Sequence, residues 1–269
     1  MKKTISLLYG LVCYLAFFIT FLYAIAFVGN FVVPKTIDSI PQIPLLSAIL
    51  IDASLLLIFA LQHSIMARPV FKRWWTQFVP EHLERSTYVL LASLCLMLLM
   101  WKWQPVSGIV WSTDNETVKS LLFVAYVLGW LIVLASTFLI NHFDLFGLRQ
   151  VWLHFRGKPY TQLPFRIPLF YRFVRHPLYL GFLIAFWSTP VMTIAHFLFA
   201  VLTTGYILTA IQFEEKDLLN HFGEKYKNYK QQVAMIIPFS RRKAANNNLI
   251  KEDSFNKLYE ENVYLSNNK

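Results

Sequence analysis

Residues Val174–Pro238 read VRHPLYLGFLIAFWSTPVMTIAHFLFAVLTTGYILTAIQFEEKDLLNHFGEKYKNYKQQVAMIIP. Two apolar runs, Leu178–Thr189 and Thr193–Phe213, are parted by Pro190. The second is long enough to cross a hydrocarbon core of about 30 Å at about 1.5 Å per helical residue, and the first is too short. Together they predict a helical hairpin set in a membrane. Both mouths are polar: Arg175 and His176 precede the hairpin, and Glu214 and Glu215 close it. Glu214–His221 extends the second helix out of the bilayer, and Gly223 supplies a stop. Phe222, Tyr226, Tyr229 and Val233 fall on one helical face and should pack on the protein or the interface.

Working outward, apolar runs at about Ile5–Val33, Leu45–Leu61, Tyr88–Met100 and Val118–Ile140 each predict a helix. The expected fold is all-α: a polytopic membrane helix bundle of four spanning helices plus the C-terminal hairpin, five to six membrane helices in all. A soluble domain rarely carries 56% hydrophobic residues. Met1-Lys2-Lys3 and an apolar run to Ala24-Ile25-Ala26 have the outline of a signal peptide. The run continues to Val33, which favours a retained first helix. Residues 1–240 read as one membrane domain, and 241–269 as a polar, Asn-rich, mobile tail. Cys13 and Cys95 lie in apolar runs and read as buried hydrophobes. No CxxC and no Cys/His cluster points to a disulfide framework or a metal site.

The net charge of +10 raises the question of nucleic acid. The basic residues fall in short loops between apolar runs, which fits positive-inside loops instead, so no nucleic-acid partner is expected. The loops after the second and fourth helices hold ten Lys/Arg, and those after the first and third hold two, Lys35 and Lys102. The richer set should be cytoplasmic, with both termini on that side. Trp74 and Trp75 suit one interface; Trp101, Trp103 and Trp111 suit the opposite one. Asp52 should face the bundle interior and have a partner there.

Candidate chemistry gathers at the cytoplasmic mouths. Pro177 suits the first helical position, and the free N–H groups after it favour an anion, with Arg175 and His176 as added donors. Gly181 lets another backbone or a ligand come close. The same residues would also serve as a head-group anchor. Glu214 and Glu215 point about 100° apart, so one can meet a ligand while the other pairs with an arginine. Asn141, His142 and Asp144 end the fourth helix, and His142 is the first candidate for a general base; capping is the plainer role for that trio. His63, after the second helix, is a weaker candidate. Arg149 and Arg166 add positive field from a long segment that Pro159, Pro164 and Pro168 keep from being one helix. No phosphate-binding glycine loop, GxSxG elbow or HExxH site is present.

The set Arg175-His176-Pro177-Leu178-Tyr179-Leu180-Gly181, Glu214-Glu215-Lys216-Asp217-Leu218, Phe222-Gly223-Glu224-Lys225-Tyr226 and Ile237-Pro238 resembles the C-terminal core of the isoprenylcysteine carboxyl methyltransferase and phospholipid methyltransferase superfamily. Gln62-His63-Ser64, Glu84-Arg85-Ser86-Thr87-Tyr88, Asn141 to Trp152, and Gly157-Lys158-Pro159-Tyr160 resemble its NnrU-like branch. Within it they are similar to bacterial enzymes that methylate methanethiol to dimethyl sulfide. The resemblance covers about residues 45–238.

It implies an integral membrane enzyme of the bacterial inner membrane with S-adenosyl-L-methionine as methyl-donor cosubstrate and no metal. Its cofactor core would be 141–238, with Arg175, His176, Pro177, Leu178, Tyr179, Gly181, Glu214, Glu215 and Tyr226 binding the donor. His142, Asn141, Asp144, Arg149 and His63 are then the catalytic candidates. The other partners are membrane lipid and a small volatile thiol, with no obligate protein partner. Competing expectations are a methyltransferase for a prenylated thiol or lipid amine, and a non-enzymatic NnrU-like membrane protein linked to denitrification.

Overall fold

The structure, a computed structural model, describes residues 2–238; the tail from 241 lies outside the described residues. In chain order it contains α1 (Lys2–Val28), α2 (Leu45–Ala67), α3 (Pro69–Trp75), α4 (Glu81–Lys102), β1 (Ile109–Ser112), α5 (Glu116–Ile140), α6 (His142–Leu145), α7 (Leu148–Phe155), α8 (Pro177–Trp187), β2 (Val191–Thr193), α9 (Ile194–Phe222) and α10 (Glu224–Gln232). Leu169–Arg172 forms a single 3-10 turn. The protein is a polytopic membrane helix bundle: α1, α2, α4, α5 and α9 are each long and apolar enough to span.

Several boundaries differ from the sequence reading. Helix α1 stops at Val28, because the chain turns through left-handed Asn30 and Val32. Helix α2 runs on to Ala67, so His63 lies on a helix and not in a loop. Helix α4 begins at Glu81, a full two turns before the apolar run, and places Arg85 and Tyr88 on one continuous helix. Trp103 is fully buried and donates its indole N–H to the Ile37 carbonyl at 3.1 Å, so it is a core residue and not an interface marker. Polar residues extend helices past the apolar window, which hydropathy alone cannot register.

Local chemistry fixes the ends. The Asn115 side chain accepts from Thr117 N–H (3.0 Å) and Val118 N–H (3.1 Å) to start α5, and Thr193 Oγ1 accepts from His196 N–H (3.1 Å) to start α9. Pro69 and Pro177 occupy first-turn positions where no N–H is needed. Asp52 is fully buried and accepts from Gln104 N–H at 2.8 Å, which gives the intramembrane carboxylate the partner expected of it.

The short hairpin helix α8 packs against α5 and α9. Strand β2, in the turn between α8 and α9, pairs antiparallel with β1, in the connection between α4 and α5. This small ladder was not foreseen; it satisfies backbone groups at that end of the bundle. Trp187 Nε1–H donates to Thr204 Oγ1 at 3.0 Å, and eleven residues further along each helix His176 meets Glu215. Thus α8 and α9 run antiparallel in step. Helix α8 has only 11 residues, whereas Glu215 lies about 31 Å of helix from the start of α9, a distance close to the thickness of an apolar layer of about 30 Å. The polar mouth therefore sits at the end of the bundle opposite the β1–β2 ladder.

The hairpin sits on a rigid crossing. A Cβ at Gly129 would lie 2.8 Å from the Gly181 carbonyl oxygen, and one at Gly181 would lie 2.6 Å from the Gly129 carbonyl oxygen. The glycines therefore let α5 and α8 touch backbone to backbone. On the β1–β2 side an aromatic core locks the helices: Trp103 meets Phe27 and Phe199 edge to face, and Trp130 meets Phe182 and Phe186 likewise.

Candidate functional site

The site is built where α8 starts and α9 leaves the apolar layer. The Arg175 and His176 N–H groups bond to the carbonyls of Ala234 (2.8 Å) and Met235 (3.1 Å), so the chain after α10 fixes the entry to α8. Glu215 is 3% exposed and collects three donors. Arg175 Nε reaches Oε1 at 2.7 Å, His176 Nε2 reaches Oε1 at 3.1 Å, and Lys230 Nζ reaches Oε2 at 2.7 Å. Arg175 also donates to the carbonyls of Lys230 and Val233. A carboxylate only accepts, so the His176 hydrogen resides on Nε2. The pairing expected between one glutamate and an arginine is thus made by Glu215.

Glu214 is the other partner. Its side chain is 45% exposed, and Oε2 stands 3.9 Å from His176 Nδ1. Tyr179 and Tyr171 lie within electrostatic reach of its carboxylate. Burial, and next Glu214, push the Tyr171 phenol above its ordinary range. Tyr226 is 2% exposed, and its hydroxyl has no hydrogen-bond partner among the described residues. Burial and the nearby Glu215 push that phenol up as well. Tyr226, Tyr229 and Val233 pack with Phe165 and Phe222, as their shared face predicted, and Tyr229 donates to the Tyr171 carbonyl at 2.7 Å.

Helices α2 and α4 bring a second set to the same region. Tyr88 Oη is 3.0 Å from His63 Nδ1 and 3.1 Å from Nε2, and His63 stacks on Phe59. Ser64 and Tyr206 hydroxyls meet at 3.2 Å. Arg68 pairs with Asp217 at 2.9 Å, tying α2 to α9. Tyr88 is in electrostatic reach of both Glu214 and Tyr206. These contacts join His63 to the Glu214 group. Tyr88, Tyr171 and Tyr206 were not singled out in the sequence. Tyr88 stood within the Glu84–Tyr88 motif, but no periodicity marks a tyrosine that reaches across helices.

The remaining candidates lie apart from this cluster. His142 is buried, with Nε2 2.8 Å from the Tyr14 hydroxyl, Nδ1 2.8 Å from the Thr137 hydroxyl, and its ring stacked on Phe138. Burial pushes its pKa below the usual histidine value. Asn141 caps α6 by accepting from Asp144 N–H at 3.0 Å. Asp144 pairs with Arg149 at 2.9 Å, and Arg149 also donates to the Thr161 carbonyl (2.8 Å) and hydroxyl (2.7 Å). Asn141, Asp144 and Arg149 thus tie α6 and α7 to the loop that follows. Pro177 is buried in the first turn of α8, and Leu178 is half-buried beside it. Of the two alternatives at Gly181, the close neighbour is the backbone of α5.

No family model matches the chain, and no solved structure matches it. Curated proteins do. The chain is 55% identical to the methanethiol S-methyltransferase of Crocosphaera subtropica, over 91% of this chain and 96% of that protein. It is 52% identical to the methanethiol S-methyltransferase of Mycobacterium tuberculosis, over 90% of this chain and 99% of that one. A more distant relative is Nurim of Bos taurus, 33% identical over 62% of this chain and 66% of its own length.

Proposed function

The chain belongs to the methanethiol S-methyltransferase family, and from that premise we propose that it transfers a methyl group from S-adenosylmethionine to methanethiol, giving dimethyl sulfide. Identity above half across nine-tenths of the chain carries this reading. The Glu214 group, gathered at one end of the bundle, supports where the reaction takes place.

The residues fit the donor. Its ribose hydroxyls need acceptors, and Glu214 offers a half-open carboxylate. Its acceptor atoms need donors, and Tyr226 holds a buried hydroxyl with no partner. Tyr179 and Tyr88 lie within electrostatic reach of Glu214, and a carboxylate among aromatic side chains suits a cation. When bound, the donor supplies a methyl group on a positively charged sulfur, open to displacement by a thiolate.

The chain must orient the thiol and take its proton. A small thiol titrates near or above the cysteine value of about 8.5 and is mostly protonated at neutral pH. We assign the proton to His63 in preference to His142. His63 connects through Tyr88 to the Glu214 group, whereas both His142 nitrogens are held by hydroxyls of α1 and α5. Arg175, His176 and Lys230 fix Glu215, which holds α9 in register with α8 and so sets Glu214. Positioning of this kind contributes as much as the base.

The basic loops after α2 and α5 support a reading in which this end of the bundle faces the cytoplasm of an inner membrane, with the N-terminus on the same side. The deciding experiment is a methyl-transfer assay on purified protein with labelled donor and a panel of methanethiol, larger thiols and prenylcysteine. Labelled dimethyl sulfide is the expected product. Transfer to prenylcysteine alone would move the protein to a different acceptor class.

A further inference from the structure

A cavity of about 390 Å³ opens beside the site, between α3, the first turn of α4, α7 and the loop at 158–160. Its walls carry Lys72, Glu81, Glu84, Arg85 and Gln150. Charges of both signs share this space, yet none of its five charged residues, Lys158 included, forms an ion pair among the described residues. Glu81 and Arg85 stand four apart on one helix, a spacing at which such pairs usually form. The fold holds cations and carboxylates apart. Glu84 Oε1 and Gln150 Oε1 are also buried acceptors without a donor. Burial, and next Arg85, push the Lys72 ammonium pKa down, which an anion beside it would reverse.

Unpaired donors and unpaired acceptors in one concavity match a zwitterion. We infer that this cavity receives the amino-acid end of the methyl donor, with the carboxylate at Arg85 and Lys72 and the ammonium at Glu84 and Gln150. The inference rests on the donor proposed above. Continuity with the site supports it. The Arg85 guanidinium carbon lies 5.7 Å from the centre of the Tyr88 ring. Tyr88 is in electrostatic reach of Glu84 and Arg85, and equally of Glu214 and Tyr206. An extended ligand anchored by its zwitterion here and by its ribose hydroxyls at Glu214 passes Tyr88 and His63 with its central sulfur. The reacting atom then lies beside the residue assigned to the thiol proton.

The test is calorimetry in detergent with S-adenosylhomocysteine and with methylthioadenosine, which keeps the adenosine and sulfur but lacks the amino acid. Wild-type protein binds the first at least about tenfold more tightly, the scale of a charge-assisted contact. Arg85→Gln and Glu84→Gln each weaken S-adenosylhomocysteine about tenfold and leave methylthioadenosine within about twofold. Two variants of opposite charge guard against one that fails to fold. Equal losses for both ligands, or no loss for either, overturn the assignment. So does Arg85-dependent binding of glycerophosphoethanolamine in place of S-adenosylhomocysteine, which would make the occupant a lipid headgroup. Wild-type protein that binds no S-adenosylhomocysteine at all defeats the donor reading itself, an outcome distinct from loss of selectivity.

Discussion

Arg175 Nε stands 2.7 Å from Glu215 Oε1, and the two side chains are 9% and 3% exposed. The pair links the entry of α8 to the polar end of α9. His176 and Lys230 share the same carboxylate, and the Arg175 guanidinium also holds the chain after α10. Three segments distant in sequence therefore converge on one buried acid.

Removing that acid should unfold the site. Glu215→Ala leaves the buried Arg175 guanidinium without its carboxylate, and deleting one half of a buried pair costs about 3–5 kcal/mol. A large fall in melting temperature in detergent is expected, with loss of donor binding. An unchanged melting curve would show that Glu215 does not hold the helices together.

Tyr226 separates binding from stability. Its hydroxyl is buried close to Arg175 without a well-formed hydrogen bond, so Tyr226→Phe removes an atom that contributes little to the folded chain. The melting temperature should hold or rise slightly, while donor affinity falls about five- to tenfold. Calorimetry and a thermal melt on the same sample check both halves.

Gly181 tests packing against binding. A Cβ there meets the Gly129 carbonyl oxygen at 2.6 Å, so Gly181→Ala must push α5 and α8 apart. Overpacking of this kind costs about 1–3 kcal/mol. The variant should melt earlier even without ligand. A normal melt with a selective loss of donor affinity would instead make Gly181 a ligand contact.

His63 and His142 should part in their kinetics. His63→Ala and Tyr88→Phe are expected to lower the turnover of thiol methylation by about 10²-fold or more, with donor affinity changed little. His142→Gln should lower turnover far less. The reverse order would return the base to α6.

His142 makes one pH-dependent contribution to stability. Burial lowers its folded pKa below the unfolded value of about 6.5, so the unfolded chain binds the extra proton first. Its contribution is complete above about pH 6.5 and is lost as pH falls toward the folded value. Melting temperature should drop on acidification, and His142→Gln should flatten that drop. Parallel curves for the two proteins would assign the acid sensitivity to other groups.

Much of the bundle was legible in the chain because a bilayer imposes a length rule. Apolar runs such as Val118–Ile140 must be helical when no water is present to satisfy the backbone, so the spans followed from hydropathy. Their ends did not, since Gln62–Ala67 and Glu81–Thr87 continue helices with polar residues. Trp103 shows the same limit: an amphipathic ring suits an interface or a core equally well, and only its burial against Phe27 and Phe199 decides.

The candidate site divides in the same way. Sequence alone determined the class of groups present, the Arg175-His176 start and the Glu214-Glu215 end of one hairpin, because both sit where apolar runs stop. Tertiary structure decided their partition. Glu215 turns inward to Arg175, Glu214 stays half open, His63 joins the tyrosines, and His142 packs behind them against α1. The reason is geometric. Hydropathy depends on one residue and its neighbours in the chain. The direction of a side chain depends on which helices cross: the in-step pairing of α8 with α9 sets Glu214 and Glu215, α4 against α2 sets His63, and α1 against α5 sets His142.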